Sequence, residues 1–193
     1  MENSVVWGIH TGRPRGSKAS EQRVLAAEMD RVFKGSGGRG VVAVGWPEMG
    51  DMGALPADTE AFKNRLVELH PDASPQSVAN DAATLLAFVH EASEGDIVVW
   101  RSGETRDVWI GRIRGPYAYV PDSHDEYVNR RAVSWRPPQA ATDFSKEALR
   151  SLGQQRSFFR VKNEQEFRQA ATGMPLWMAP REAVATTGEP ETT

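Results

Sequence analysis

At 193 residues the chain fits one hydrophobic core, and 39% hydrophobic residues with 6 Trp and 7 Phe supply apolar surface to offset the entropy of ordering it. No apolar run approaches the ~20 residues of a membrane helix, and the opening MENSVVWGIH has neither the basic start nor the long apolar core of a signal peptide. A globular cytoplasmic protein is expected, with disulfides, thiolate nucleophiles and sulfur-ligated zinc excluded by the absence of Cys.

The net charge of −3 is unevenly placed: residues 1–40 carry +3, 41–99 carry −8, 100–180 carry +4 and 181–193 carry −2. A fold that brings the first and third segments to one side would present a basic face to phosphates, with the acidic segment away from it.

In chain order, VVWGI (5–9) reads as a short strand, followed by the Gly-, Pro- and cation-bearing loop HTGRPRGSK. A helix from a Ser20 cap to Phe33 aligns Leu25, Met29, Val32 and Phe33, and Gly35 stops it. VVAVGW (41–46) is a strand-length apolar run. Asp58 or Thr59 can cap a helix carrying Phe62, Leu66 and Leu69, ending at His70-Pro71. The best-punctuated helix follows, with Ser74 as cap, Pro75 at the first position and Val78, Ala82, Leu85, Val89 and Ala92 on one stripe. The period then changes to strand type in DIVVWRS (96–102), DVWIGRIRG (107–115) and NRRAVSWR (129–136), expected to form an antiparallel sheet. A helix near Ser145–Leu152, the strand-like SFFRV and a last helix with Asn163 and Glu166 in capping-box spacing complete an α+β domain over 1–174. Residues 175–193 read as a disordered polar tail.

Catalytic signatures are sparse. The four His, at 10, 70, 90 and 124, show no helical metal spacing, and no HExxH pattern occurs. GSGGRG precedes a strand instead of following one, so it is not a phosphate-cradling loop. Gly-x-Ser-x-Gly is absent, and Pro121-Asp122 lacks the Glu-x-Lys of a metal nuclease. The expectation is a protein that is not an enzyme and carries no cofactor or metal.

VVWGIHTGRP, VVAVGWPEMGDM, SVANDAATLLAFV, EGDIVVWRS, WIGRIRGPYAYVPD and YVNRRAVSW occur in an order that resembles the N-terminal EVE-like domain of Mrr-type restriction proteins, within the PUA-like superfamily. The resemblance covers roughly residues 4–162. Its most specific pieces are Gly45-Trp46 with Gly50-Asp51, Asn80-Asp81, Gly95-Asp96 and the run from Gly111 to Gly115-Pro116-Tyr117. It implies a small twisted β-barrel flanked by helices that reads a modified base at the barrel mouth. The restriction proteins continue into a nuclease domain where this chain has its polar tail, so recognition without cleavage is expected.

A base turned out of the stack needs replacement aromatic contacts. The resemblance places Trp7, Trp46 and Trp100 at the pocket, with Trp109 or Tyr117 as further walls and His10, Thr11, Asn80, Asp81, Arg101 and Ser102 as polar contacts. Phosphates are assigned to Arg13, Arg15 and Lys18 in the first loop and to Arg112, Arg114, Arg130 and Arg131 on the sheet. The expected partner is modified double-stranded DNA carrying 5-methylcytosine or 5-hydroxymethylcytosine, with no membrane, and pairing into a homodimer stays open. The alternatives are a PUA-like RNA or tRNA binder and, ranked last, a metal-dependent nuclease.

Overall fold

A computed structural model describes residues 4–10, 19–37, 39–121 and 127–173. The expected contacts of Thr11, Arg13, Arg15 and Lys18, the residues Asp122 and His124, and the tail at 175–193 lie outside them.

The elements are β1 (Val6–Ile9), α1 (Ala19–Lys34), β2 (Arg39–Val44), α2 (Thr59–Leu69), α3 (Pro75–Leu86), β3 (Ile97–Arg101), β4 (Val108–Tyr119), β5 (Asn129–Trp135), α4 (Lys146–Ser151), β6 (Phe158–Arg160) and α5 (Gln165–Gly173). The punctuation of α3 works as its residues dictate: Pro75 occupies the first turn and the Ser74 hydroxyl accepts from the Ser77 amide at 3.2 Å. Gly35 ends α1 at φ 56°, a conformation that costs a glycine little. The start of α1 at Ala19 puts Ser20 inside the first turn. Asp58 holds the cap position of α2 without a side-chain bond.

Among the described residues the strands form one sheet in the order β2-β5-β4-β3-β1-β6. The antiparallel expectation holds for β3, β4 and β5; β2 also joins β5 antiparallel, whereas β1 joins β3 in parallel, Val6 opposite Ile97 and Ile9 opposite Trp100. β6 then pairs antiparallel with β1. β2 and β6 are unpaired edges, so the sheet is open and a closed barrel is not formed.

Strand alternation divides the side chains between two cores. On the inner face Trp7, Val98, Trp100, Ile113, Val133, Trp135 and Phe158 pack with Met29 and Phe33 of α1, Phe62 and Leu66 of α2, and Val78, Ala82 and Leu85 of α3. On the outer face Val6, Ile97, Val99, Val108, Ile110 and Phe159 pack with Ala148 of α4 and Phe167 and Ala171 of α5. Gly40 has to lack a side chain, because a Cβ there would sit 1.9 Å from the Phe33 carbonyl oxygen that accepts the Trp135 indole N–H.

α3 runs into a π-helical turn, Ala87–Glu91, closed by the Ala92 amide donating to the Ala87 carbonyl at 2.9 Å. The carbonyls freed there face Arg131. Its Nε donates to Phe88 O at 2.7 Å, Nη2 to Val89 O at 2.8 Å and Nη1 to Gly115 O at 3.2 Å. A cation at this helix end also complements the helix dipole.

Candidate functional site

Where α3 and its π turn pass the β6 edge, a cavity of about 750 Å³ opens against the segment 153–156. Its lining includes Trp7, Asn80, Leu86, Glu91, Gln154 and Arg160. That volume lies within the range of small-molecule sites, and a wall mixing amides, charge and apolar surface suits a planar polar ligand.

Trp7 is fixed from below. Its indole N–H donates to Asp96 Oδ2 at 2.8 Å; the same carboxylate, buried, accepts from the Val5 and Ser93 amides at 2.8 and 3.0 Å. The ring stacks on Phe158 at 4.8 Å and 15°, and the Arg160 guanidinium carbon lies 5.2 Å from its centroid. Arg160 is tethered to Glu91 at 3.4 Å, an exposed pair worth little in itself. Trp7 is only 1% exposed, so the group offered to a ligand is the Arg160 guanidinium backed by the indole. The His10 ring, half-buried, bonds with Gln154 O at 2.8 Å, tying the end of β1 to the rim.

The structure brings Trp7 and Asn80 to this cavity, with His10 at its edge, and places the remaining expected pocket residues elsewhere. Asp81, half-buried, accepts from the Ser77 hydroxyl at 3.5 Å and is not part of the lining. Trp100 is a correction: its parity on β3 turns it into the inner core, where it meets Phe33, Trp109 and Trp135 at centroid distances of 5.3, 5.9 and 5.9 Å. Ser102 is a second correction. Fully buried, it donates to Asp30 Oδ2 at 2.5 Å and accepts from the Thr105 amide at 2.9 Å, organising the turn after β3. The half-buried Arg101 donates to Arg106 O at 3.3 Å, and burial followed by the charge of Arg106 pushes its pKa down.

Trp46 lies at the far end of the sheet, in left-handed conformation at φ 63°. The Asn129 amide donates to both Gly45 O and Trp46 O at 3.3 Å, while its oxygen accepts from the Tyr117 hydroxyl at 2.6 Å. Burial raises the Tyr117 pKa to about 12. Trp46 and Tyr117 are therefore parts of a turn-fixing network, separate from the cavity.

Of the cations expected on phosphates, Arg131 is a third correction: it is 3% exposed and engaged by the π-turn carbonyls. Arg112, Arg114 and Arg130 stand on the outer face by strand parity, away from the cavity. The residues missed at the cavity, Glu91, Gln154, Phe158 and Arg160, come together only because β6 returns to pair with β1, a contact across about 150 residues. Among the described residues no group of three or more His, Asp or Glu could hold a metal ion, and no helix is long and apolar enough to cross a membrane.

Fold and site together define an α+β domain with an amide- and guanidinium-lined cavity at one sheet edge. The chain belongs to the family described as Domain of unknown function (DUF8426), which matches residues 24–162 and so leaves β1 outside the matched span. No curated protein and no solved structure matches the chain.

Proposed function

We propose that the protein is a non-catalytic DNA-binding protein of the EVE-like, PUA-like kind, which reads a modified base turned out of the duplex. The observation that carries this reading is the cavity in which the Arg160 guanidinium lies over Trp7 beside Asn80 and Gln154. A guanidinium plane is a stacking platform for a base, and amides supply paired donor and acceptor groups for its edge. The rim also suits a phosphate-bearing ligand: Arg156 lines it, and the chain passes from His10 directly into the sequence that carries Arg13, Arg15 and Lys18. The favoured ligands are 5-methylcytosine and 5-hydroxymethylcytosine. A methyl group adds about 1 kcal/mol of apolar contact, so discrimination requires close packing against the Ala83, Leu86 and Ala87 wall.

The test is a gel-shift panel of duplexes that differ only in cytosine modification, with structured RNA as competitor. We expect tighter binding to a modified duplex and a preference lost on Asn80→Ala and Arg160→Ala, two cavity substitutions that leave the core intact. Equal affinity for every duplex refutes the reading, and preferential displacement by RNA replaces DNA with RNA as the partner.

A further inference from the structure

We infer that the half of the outer sheet face formed by β2, β5 and β4 is a second, separate binding surface for phosphate groups, centred on Arg136. Strand parity puts Arg39, Arg112, Arg114 and Arg130 on this face, and none of the three strands contains an acidic residue. Arg39 and Arg112 both pair with Ser134, one from each side. The Arg136 amide donates to Ile110 O at 2.9 Å, extending the β4–β5 pairing by one residue and setting Arg136 on the same face. Strand geometry puts it roughly 7–8 Å from Arg112, diagonally across the pair. The exchange of backbone bonds between Val108 and Gln139 brings Gln139 to that face as well. The outer layer stops partway across this half: α5 lies against β3 and β4, where Val108 and Ile110 pack with it and bury Arg136 at its margin, while Ala118 and Ala132, farther along the strands, remain exposed.

The second observation is independent of charge counting. Arg136 is 6% exposed, yet its Nη1 has no hydrogen-bond partner, and neither does the buried Gln139 Nε2. No carboxylate pairs with Arg136 among the described residues, and burial together with the neighbouring Arg112 lowers its pKa. A desolvated guanidinium without a counter-ion is unfavourable to keep. An arriving tetrahedral anion supplies the missing acceptor, drawing the guanidinium outward between Arg112 and the Gln139 amide in the paired geometry Arg favours for phosphate.

The inference rests on the nucleic-acid reading only for the source of the phosphate, since the cavity opens at the opposite edge of the sheet from β2. Free phosphate and a nucleic-acid backbone share the required chemistry. Full-length protein and its Arg136→Met variant would be titrated with inorganic phosphate, against chloride of equal ionic strength, and with an unmodified duplex. Phosphate should raise the wild-type Tm saturably and move an arginine Nε–H resonance. Arg136→Met should melt roughly 2–4 °C higher without phosphate, as the uncompensated charge is gone, and show no phosphate response. A backbone source would lower the slope of log affinity against log salt by about one in the variant; an unchanged slope with the phosphate response intact in wild type identifies a free anion. Substitution of the exposed Arg114 by Ala should weaken modified and unmodified duplexes by the same factor. A wild-type protein that responds to phosphate no more than to chloride, with no arginine resonance moving, overturns the surface. Loss of modified-base preference with the phosphate response retained refutes the cavity reading alone.

Discussion

Arg131 and its neighbour Arg130 show how much one residue of parity decides. Asn129, Arg131, Val133 and Trp135 share the inner face of β5, so Arg131 points into the core beside the π turn and Arg130 to the other side. The alternation was present in NRRAVSW, and Val133 and Trp135 were the signal that Arg131 would be internal. Without a known face for the strand, both arginines read as exposed cations available to phosphates. Replacing Arg131 by Met should cost roughly 2–4 kcal/mol, because the Phe88 and Val89 carbonyls keep their burial and lose a charged donor. Denaturant unfolding would measure it, and a loss below 0.5 kcal/mol would mean that water replaces the guanidinium. VVWGI offered no such signal: every position is apolar, and only the parallel pairing with β3 turns Trp7 inward and Val6 outward.

At the scale of elements, the boundaries that were legible are those written in local chemistry, such as Ser74-Pro75 opening α3 and Gly35 closing α1. The π turn was not, because its apolar stripe matches a continuing helix and the extra residue is selected by the distant Arg131. The last helix is instructive in the same way. Glu166 was expected to cap its own helix with Asn163, but its carboxylate accepts from the Ser145 amide at 2.8 Å and hydroxyl at 2.5 Å. The link ties α5 to the start of α4. The Ser145 hydroxyl and then its amide hold the Glu166 carboxyl below its ordinary pKa. The unfolded chain therefore binds this proton first as the pH falls, so the stabilisation is complete above ~4.3, the usual carboxylate value, and is lost as the pH falls through the lower folded value. Melting between pH 3 and 6 should show a steeper acid loss in the wild type than in Glu166→Gln. Parallel acid limbs would show that the contact contributes nothing.

For the whole molecule, the uneven charge along the sequence becomes a division between layers. The acidic stretch supplies α2 and α3 over the inner face, with exposed Glu60, Glu68 and Asp72, while the outer face of β2, β5 and β4 carries arginines. Asp96, the buried carboxylate beneath Trp7, already accepts from three N–H donors that fix it as a structural anchor of the cavity floor. Methylated plasmid incubated with the protein and Mg²⁺ or Mn²⁺ should be retarded in a gel and remain supercoiled. Nicking that vanishes on replacing Asp122 would make the nuclease reading primary. The position of β1 between β3 and β6 also sets a schedule for biosynthesis. Ile9 pairs with Phe158, 149 residues later, so at ~5–20 residues per second the ribosome exposes the apolar VWGI for about 7 to 30 s before its final neighbour exists. Made before the other strands of this sheet, β1 is among the last of them to be enclosed, which makes it the strand of the sheet most in need of a chaperone during translation.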